Sequence, residues 1–382
     1  MRIALVENFG RDFLYFRLPL VKFLESKGFV VYAIVPEDSY YKDLLEKKIN
    51  VITFPLAKNK LNPVAFIRAV FILRRIQKEK DISIFHSFRF QPNIITNFAL
   101  GFRKDVKVIN HITGLGYAFT KLGFNSFFYR ILILLLYQST LPFIGRIIVQ
   151  NRDDLSILSR LFFIKNKLVL IQGSGINIDK FSRENVDFTK VNKLKKILNC
   201  DNFKIVTFIG RLLKDKGIVE FLKAAEIITK ENDNVKFAIA GWIDKFNPSC
   251  ISIDLLNKYL SNNKIIYIHE INEVRELLYL TDIFVLPTYR EGFPRSVLEA
   301  MAMEVPVIST SVPGVREAIV HNFNGILVKP GNETELVNAI KLLIYNDKLA
   351  KFLGKNGRHQ TKVNFRDDLI FNKVLNVYKA LL

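Results

Sequence analysis

The sequence predicts an α/β protein made of two Rossmann-like, doubly wound units, each a parallel sheet with helices on both faces. Three observations carry that prediction. Short apolar, β-branched runs alternate with longer amphipathic stretches, the pattern of strand, crossover helix and parallel strand. At 382 residues the chain exceeds what one small core organises, so two domains of ordinary size are expected. Near the middle, the segment QGSGINIDKF sets glycines and asparagines between apolar runs, which suits a crossing between units.

Taken in order, Arg2–Val6 reads as a first strand, and Gly10 opens the loop after it, where a residue without a Cβ lets backbone approach a ligand. A helical pattern follows through Pro19, Leu20, Phe23 and Leu24. Further strands are expected at 30–35, 51–54, 82–85 and 106–109, with a helix over 63–78. The most apolar stretch, 127–149, reads as helix-rich through residue 148. Arg130, Gln138, Ser139, Thr140, Gly145 and Arg146 interrupt it, and a membrane span needs about 20 nearly unbroken apolar residues, so no transmembrane helix is expected. Two readings stay open for this stretch: an ordinary core helix, or an aromatic surface resting in the membrane interface with Lys121, Arg130, Arg146, Arg152 and Arg160 around it. In the second unit, strands are expected at 205–209, 237–240, 265–268, 283–286 and 307–308, with a helix over 218–229 and an amphipathic end over 369–382. The expected domains are 1–177 and 178–362, with a C-terminal helix, 363–382, packing back on the first.

Composition narrows the function classes. With 49% hydrophobic residues the chain is not disordered. Its net charge of +20, of which +14 falls in residues 1–180, implies an anionic partner: nucleic acid, membrane lipid or a phosphorylated substrate. No nucleic-acid reading motif or stacking platform is visible, which argues against the first. The two cysteines, Cys200 and Cys250, are far apart without a C-x-x-C, so neither a disulfide scaffold nor a zinc site is indicated. The N-terminal apolar run is too short for a signal peptide.

Chemistry concentrates in two loops. The stretch DIFVLPTYREGFPRSVLEAMAM, 282–303, reads as strand, loop and helix. Pro287 ends the strand because it cannot donate to a ladder, and Pro294 suits a first helical turn. Glu291 and Gly292 lie in the loop, and Glu299 falls about a turn and a half into the helix. Both acids therefore border one strand exit, where open α/β sheets bind ligands beside helix N-termini that attract anions. Arg211 and Lys216, in GRLLKDKG, occupy another strand-to-helix loop. A diphosphate there would meet N–H donors, a guanidinium fork and a lysine point charge. No D-x-D pair occurs, so a metal-bridged diphosphate is not expected. Paired carboxylates also suit a glycoside hydrolase, but that reading leaves Arg211 and Lys216 unexplained.

The block REGFPRSVLEAMA closely resembles the E-x7-E motif of the retaining glycosyltransferases of family 4, and GRLLKDKG resembles that family's donor-phosphate motif. The resemblance implies the GT-B fold, two Rossmann-like domains facing across a cleft, and a metal-independent transferase without a cofactor that uses a nucleotide sugar, UDP-sugar by expectation. Carried over position by position, Arg211 and Lys216 would hold the donor diphosphate, Glu299 the ribose hydroxyls, and Glu291 with the backbone of Gly292 and Phe293 the sugar. Gly10 would border the donor, and Glu291, Arg211 and Lys216 would be the catalytic set. The blocks FRLP (16–19), QPNI (91–94), TGLGYAF (113–119), QNRDD (150–154) and NPSC (247–250) resemble the branch that extends polyprenyl diphosphate-linked sugars. That implies a lipid-linked acceptor, met by Arg17, Arg89, Thr113 and Gly114, and a peripheral enzyme on the anionic, cytoplasmic face of the inner membrane, with the first domain facing acceptor and membrane and the second binding the nucleotide sugar. One departure is that NHITGLG places His111 two positions before the family's usual histidine, which points to a neutral histidine at a strand end. NPSC has no expected role beyond a turn. A nucleotide-sugar epimerase or phosphorylase and a basic nucleic-acid-binding protein are the competing readings, and the sugar, its linkage and the oligomeric state stay open.

Overall fold

The computed structural model describes residues 1–55, 63–116, 119, 124–244, 247–269, 271 and 273–382. The chain divides into two compact units, Met1–Gly175 with Asp367–Leu382, and Ile176–Arg366. Where the chain leaves the first unit and where it returns, Ile176 and Arg366 form a parallel bridge, and Ile176 N–H donates to the carbonyl of Phe365 at 2.9 Å.

The first unit holds seven strands: β1 (Arg2–Val6), β2 (Val30–Val35), β3 (Asn50–Thr53), β4 (Ile84–Phe88), β5 (Lys107–Ile112), β6 (Arg146–Val149) and β7 (Leu168–Leu170). Their order is β3-β2-β1-β4-β5-β6-β7, all parallel. Such a sheet is covered on both faces, so its central strands are buried, with polar His86, Ser87, Asn110 and His111 among the apolar residues of β4 and β5. In β1, Ala4 and Val6 join one core with Leu73 and Tyr137 from the helices Pro63–Lys80 and Phe124–Thr140. Ile3 and Leu5 join the other, with Phe371, Val374 and Tyr378 from the C-terminal helix Asp367–Lys379. That helix is pinned by a buried hydrogen bond of 2.6 Å between Tyr378 Oη and His86 Nδ1.

The second unit has six strands: β8 (Lys204–Ile209), β9 (Val235–Ala240), β10 (Ile265–His269), β11 (Ile283–Leu286), β12 (Val307–Thr310) and β13 (Ile326–Val328). They run parallel in the order β10-β9-β8-β11-β12-β13. Each sheet therefore reverses its winding once, at β1/β4 and at β8/β11, and a crevice opens where crossovers leave in opposite directions.

Several expectations shift. The apolar stretch 127–149 is not helical to residue 148: the helix ends at Thr140, Pro142 sits in a short turn, and the rest is the buried strand β6. Pro142 removes a helical donor, and the β-branched run Ile147, Ile148, Val149 fits a pleated, doubly covered sheet. Arg146 thus begins a strand instead of flanking a helix. Lys121, and Tyr117 and Ala118 of the TGLGYAF block, lie outside the described residues. The strands expected at 82–85 and 106–109 run three residues further at their ends, to Phe88 and Ile112. The edge strands β7 and β13, three residues each, were not expected, because so short a run leaves no alternation to read. Pro294 is the N-cap, and the helix begins one residue later at Arg295.

Candidate active site

The switch point of the second sheet gathers both chemical loops. Loop 210–217 leaves β8 and loop 287–294 leaves the neighbouring β11. Lys216 ends a short 3-10 turn, and Gly217 then takes φ 75° before the helix Ile218–Glu231. Only glycine serves there, since a Cβ at this position would overlap the carbonyl oxygen of Pro287. That close approach brings Lys216 Nζ to 2.6 and 2.7 Å from the two carboxylate oxygens of Glu291, a forked ion pair at the crevice. Glu291 is held from behind: its N–H donates to the carbonyl of Pro313 at 3.2 Å, and Gly314, at φ 79°, lets the next loop press against the carbonyls of Glu291 and Gly292. Phe293 packs on Phe365 with ring centres 5.2 Å apart.

Arg211 reaches Asp244 at 3.3 Å and keeps a third of its side chain exposed. Glu299 sits on the helix Arg295–Ala302 and accepts from Arg295 Nε at 2.9 Å. Burial pushes the Glu299 carboxyl up, while Arg295 pulls it back. The helices Ile218–Glu231 and Arg295–Ala302 both start without a side-chain cap, which leaves their N-terminal dipoles aimed at this crevice. The structure thus brings Arg211, Lys216, Glu291, Gly292, Phe293 and Glu299 to one sheet end. Sequence reasoning missed Asp244, Arg295, and Tyr289, whose hydroxyl donates to Glu220 at 2.7 Å.

The candidates in the first unit fare differently. Gly10 does make a close approach, but to a protein group: its N–H donates to Asp38 Oδ2 at 2.8 Å, and a Cβ would press on that carboxylate. Arg17, expected to meet the acceptor diphosphate, is instead buried: its Nε lies 3.3 Å from Glu7 Oε2 and its guanidinium stacks 3.8 Å over the Phe88 ring. So little of it reaches solvent that Arg17 is corrected from a ligand contact to a structural ion pair. Arg89, in the left-handed region at φ 72°, pairs with Asp12 and lies 3.3 Å from Glu7, yet a third of it stays exposed at the end of β4. Thr113 and Gly114, half-buried, follow β5. His111 is the penultimate residue of β5, stacked parallel on His86 at 5.4 Å with its Nε2 3.1 Å from Gln150 Nε2. Burial holds both imidazoles well below the usual histidine range.

Comparison with known proteins agrees with this architecture. The family description "Glycosyl transferases group 1" matches residues 190–360, and "Glycosyl transferase 4-like" matches residues 2–151. The chain is similar to the N,N'-diacetylbacillosaminyl-diphospho-undecaprenol alpha-1,3-N-acetylgalactosaminyltransferase of Campylobacter jejuni, 31% identical over 382 residues, covering 100% of this chain and 99% of that protein. It is 22% identical to the UDP-Gal:alpha-D-GlcNAc-diphosphoundecaprenol alpha-1,3-galactosyltransferase of Escherichia coli, over 93% of this chain and 90% of that one. Among solved structures, the Anabaena protein HepE in complex with UDP and glucose superposes with a TM-score of 0.80 at 16% identity, covering 99% of both chains. The sucrose-phosphate synthase of Thermosynechococcus elongatus superposes with a TM-score of 0.83 at 18% identity, covering 100% of this chain and 99% of that one. End-to-end similarity to the Campylobacter enzyme, with each unit matched by a glycosyltransferase description, shows that this chain belongs to the group 1 glycosyltransferases of family 4 and has the GT-B fold.

Proposed function

We propose that the protein moves an N-acetylhexosamine or hexose from a UDP-sugar to a saccharide linked to undecaprenyl diphosphate, with retention at the anomeric carbon and without a metal ion or other cofactor. The observation that carries this reading is the forked Lys216–Glu291 pair at the β8/β11 switch point, with Arg211 beside it and two helix starts lacking side-chain caps. When the bond between sugar and diphosphate breaks, negative charge gathers on the departing diphosphate, and cations already in place lower the barrier. Lys216 is paired with Glu291. A donor diphosphate takes over that lysine, and the released Glu291 carboxylate accepts hydrogen bonds from the sugar hydroxyls. Glu299 then takes the ribose, and Arg211 the second phosphate.

Both relatives are named for an undecaprenyl diphosphate-linked acceptor, and they differ in the sugar transferred. The lipid acceptor calls for a membrane-facing surface, and the first unit offers one. The helices Pro63–Lys80 and Phe124–Thr140 cover the same face of its sheet and each leaves an apolar stripe exposed, Val64, Ile67 and Phe71 on one and Phe127, Ile131 and Leu135 on the other. The first helix adds Arg68, Arg74, Arg75, Lys78 and Lys80 against the single acid Glu79. Among the described residues no helix is long and apolar enough to cross a membrane. We place the enzyme peripherally on the anionic cytoplasmic leaflet, where nucleotide sugars are made. The test is a panel of labelled UDP-sugars incubated with lipid-linked acceptors, with and without EDTA. A labelled glycolipid that forms in EDTA is the expected product. An isomerised nucleotide sugar with no glycolipid would make the protein an epimerase, and loss of activity on chelation would remove metal independence.

A further inference from the structure

The NPSC turn, which the sequence leaves without a role, is fastened to the donor loop. Asn247 Oδ1 accepts from Ser249 N–H at 3.0 Å, and Cys250 N–H donates to the Asn247 carbonyl at 3.0 Å, so the turn closes on itself. It then pairs with residues 212–214: Lys214 N–H donates to the Ser249 carbonyl at 2.7 Å, Ile251 N–H to the Leu212 carbonyl at 3.2 Å, and Leu213 and Cys250 form an antiparallel bridge. At the centre, the buried Ser249 hydroxyl donates to Asp215 Oδ2 at 2.8 Å.

Asp215 is the residue before Lys216, and it is held from the other side as well. Its carbonyl accepts from Tyr289 N–H at 2.9 Å and from Thr288 Oγ1 at 3.1 Å, both in the loop that carries Glu291. One residue therefore ties together the loops that leave three adjacent strands, β9, β8 and β11. A lysine side chain is long and rotamer-rich, so ordering it for a diphosphate costs entropy unless its backbone is already fixed. We infer that Ser249 and Asp215 are positioning residues: their hydrogen bond sets the backbone of Lys216 so that its ammonium meets the donor diphosphate beside Glu291. The carboxylate of Asp215 acts as an acceptor for Ser249 and not as a charge toward the ligand. This inference rests on the donor reading of the site.

The experiment compares Ser249→Ala, Asp215→Ala and Asp215→Asn with the wild type, by UDP titration calorimetry and by amide hydrogen exchange. Both alanine variants are expected to bind UDP about fivefold to tenfold more weakly, the loss of one buried hydrogen bond. Exchange should accelerate across 211–217 while β8 and the helix Ile218–Glu231 stay protected. Asp215→Asn, whose carboxamide oxygen still accepts from Ser249, should lie within about twofold of wild type on both readouts. If the asparagine variant behaves like the alanine one, the charge and not the bond is what matters, and the inference falls. It falls equally if exchange across 211–217 is unchanged in the alanine variants, or if protection is lost throughout the unit. Exchange needs no nucleotide, so a wild-type protein that ignores UDP would sink the donor reading while the exchange data still decide on the brace. Should Ser249→Ala fail to fold, the Asp215 pair decides alone.

Discussion

The two sheets reverse at equivalent places and hold the same kind of pair there, an acid facing a base, yet they treat it in opposite ways. Between β8 and β11, Lys216 keeps 23% of its side chain exposed beside Glu291 at 9%. Between β1 and β4, Glu7 is fully buried and Arg17 is 5% exposed. An ion pair at a crevice can trade one partner for a ligand, because water and ligand reach it. A sealed pair cannot, because separating it leaves a bare charge in a low-dielectric interior. Burial pushes the Glu7 carboxyl up and pulls the Arg17 guanidinium down, with each partner restraining the other's shift. One switch point is thus proposed as binding machinery, and the other is scaffolding around Arg89, its exposed cation.

The sharpest way to break this contrast is to remove the base at each point. Lys216→Ala is expected to lower turnover by about a hundredfold to a thousandfold, by analogy with loss of one preorganised donor, and to leave the melting temperature nearly unchanged. Arg17→Ala should do the reverse. It strands Glu7, and the expected loss is about 3 kcal/mol, at the lower end for a broken buried pair because Arg89 remains 3.3 Å from the same carboxylate. Parallel thermal melts and initial rates measure both. If Arg17→Ala melts normally and Lys216→Ala turns over normally, the two sites have been assigned the wrong way round.

The next contrast lies inside the proposed donor site. Glu299→Gln is expected to raise the Michaelis constant for UDP-sugar, and Glu291→Gln to lower kcat, each by roughly tenfold to a hundredfold for a hydrogen bond to a charged group. Ribose contacts persist through the reaction, whereas contacts to the sugar change as its ring flattens. Losses confined to the Michaelis constant in both variants would erase any difference in role between the two carboxylates.

Why one switch point was legible in the sequence and the other was not follows from how each is assembled. Lys216 and Glu291 sit inside short, contiguous loop signatures, with glycine and proline marking where the strand stops and the helix starts. The first site is stitched from Glu7, Asp12, Arg17 and Arg89, four residues without common spacing, joined only once β1 and β4 are neighbours. Arg17 reads as an acceptor contact because sequence carries no measure of burial. Ser249 could be flagged by its motif but not explained, since its partner Asp215 lies 34 positions away. Strands of four or more residues were readable except β6, whose run continues the apolar stretch before it, and the three-residue edges β7 and β13 were not.

A third contrast concerns the outer surfaces. In the second unit the helix Ile218–Glu231 buries Ile218, Phe221, Leu222 and Ile228 against its sheet. In the first unit the two helices of one face bury one stripe and expose another. Replacing Phe127 and Leu135 by serine is expected to weaken binding to anionic vesicles on the order of tenfold per site, given ~1.5–3 kcal/mol for a fully buried apolar side chain and incomplete burial in a headgroup layer. Raised salt should weaken the wild type too, since each basic residue near such a surface contributes ~1 kcal/mol within a Debye length of ~8 Å. Cosedimentation at several salt concentrations gives both numbers. Binding that ignores both the serine substitutions and the salt would leave the stripes as a surface for something other than lipid.

A last contrast separates the units by pH. His86 and His111 are buried in the first unit, stacked on one another, with Tyr378 Oη on His86, Gln150 beside His111 and the Arg17 charge near both. Both are held neutral, well below the usual histidine range, first by burial and then by neighbouring cationic or imidazole groups. The unfolded chain binds protons on these residues near pH ~6.5 and the folded chain does not, so the stability they contribute is complete above that pH and is lost as pH falls through it. The slope approaches about 1.4 kcal/mol per pH unit for each histidine, in a window from about pH 6.5 to 5 that lies above the carboxylate range. Thermal melts across that window should show the first unit weakening on acidification, and His111→Gln, which keeps a polar partner for Gln150 without a titrating ring, should remove about half of the slope. A wild-type slope that His111→Gln leaves untouched would mean that the buried imidazoles take up protons in the folded state, and the sealed polar interior described for this unit would then be open to water after all.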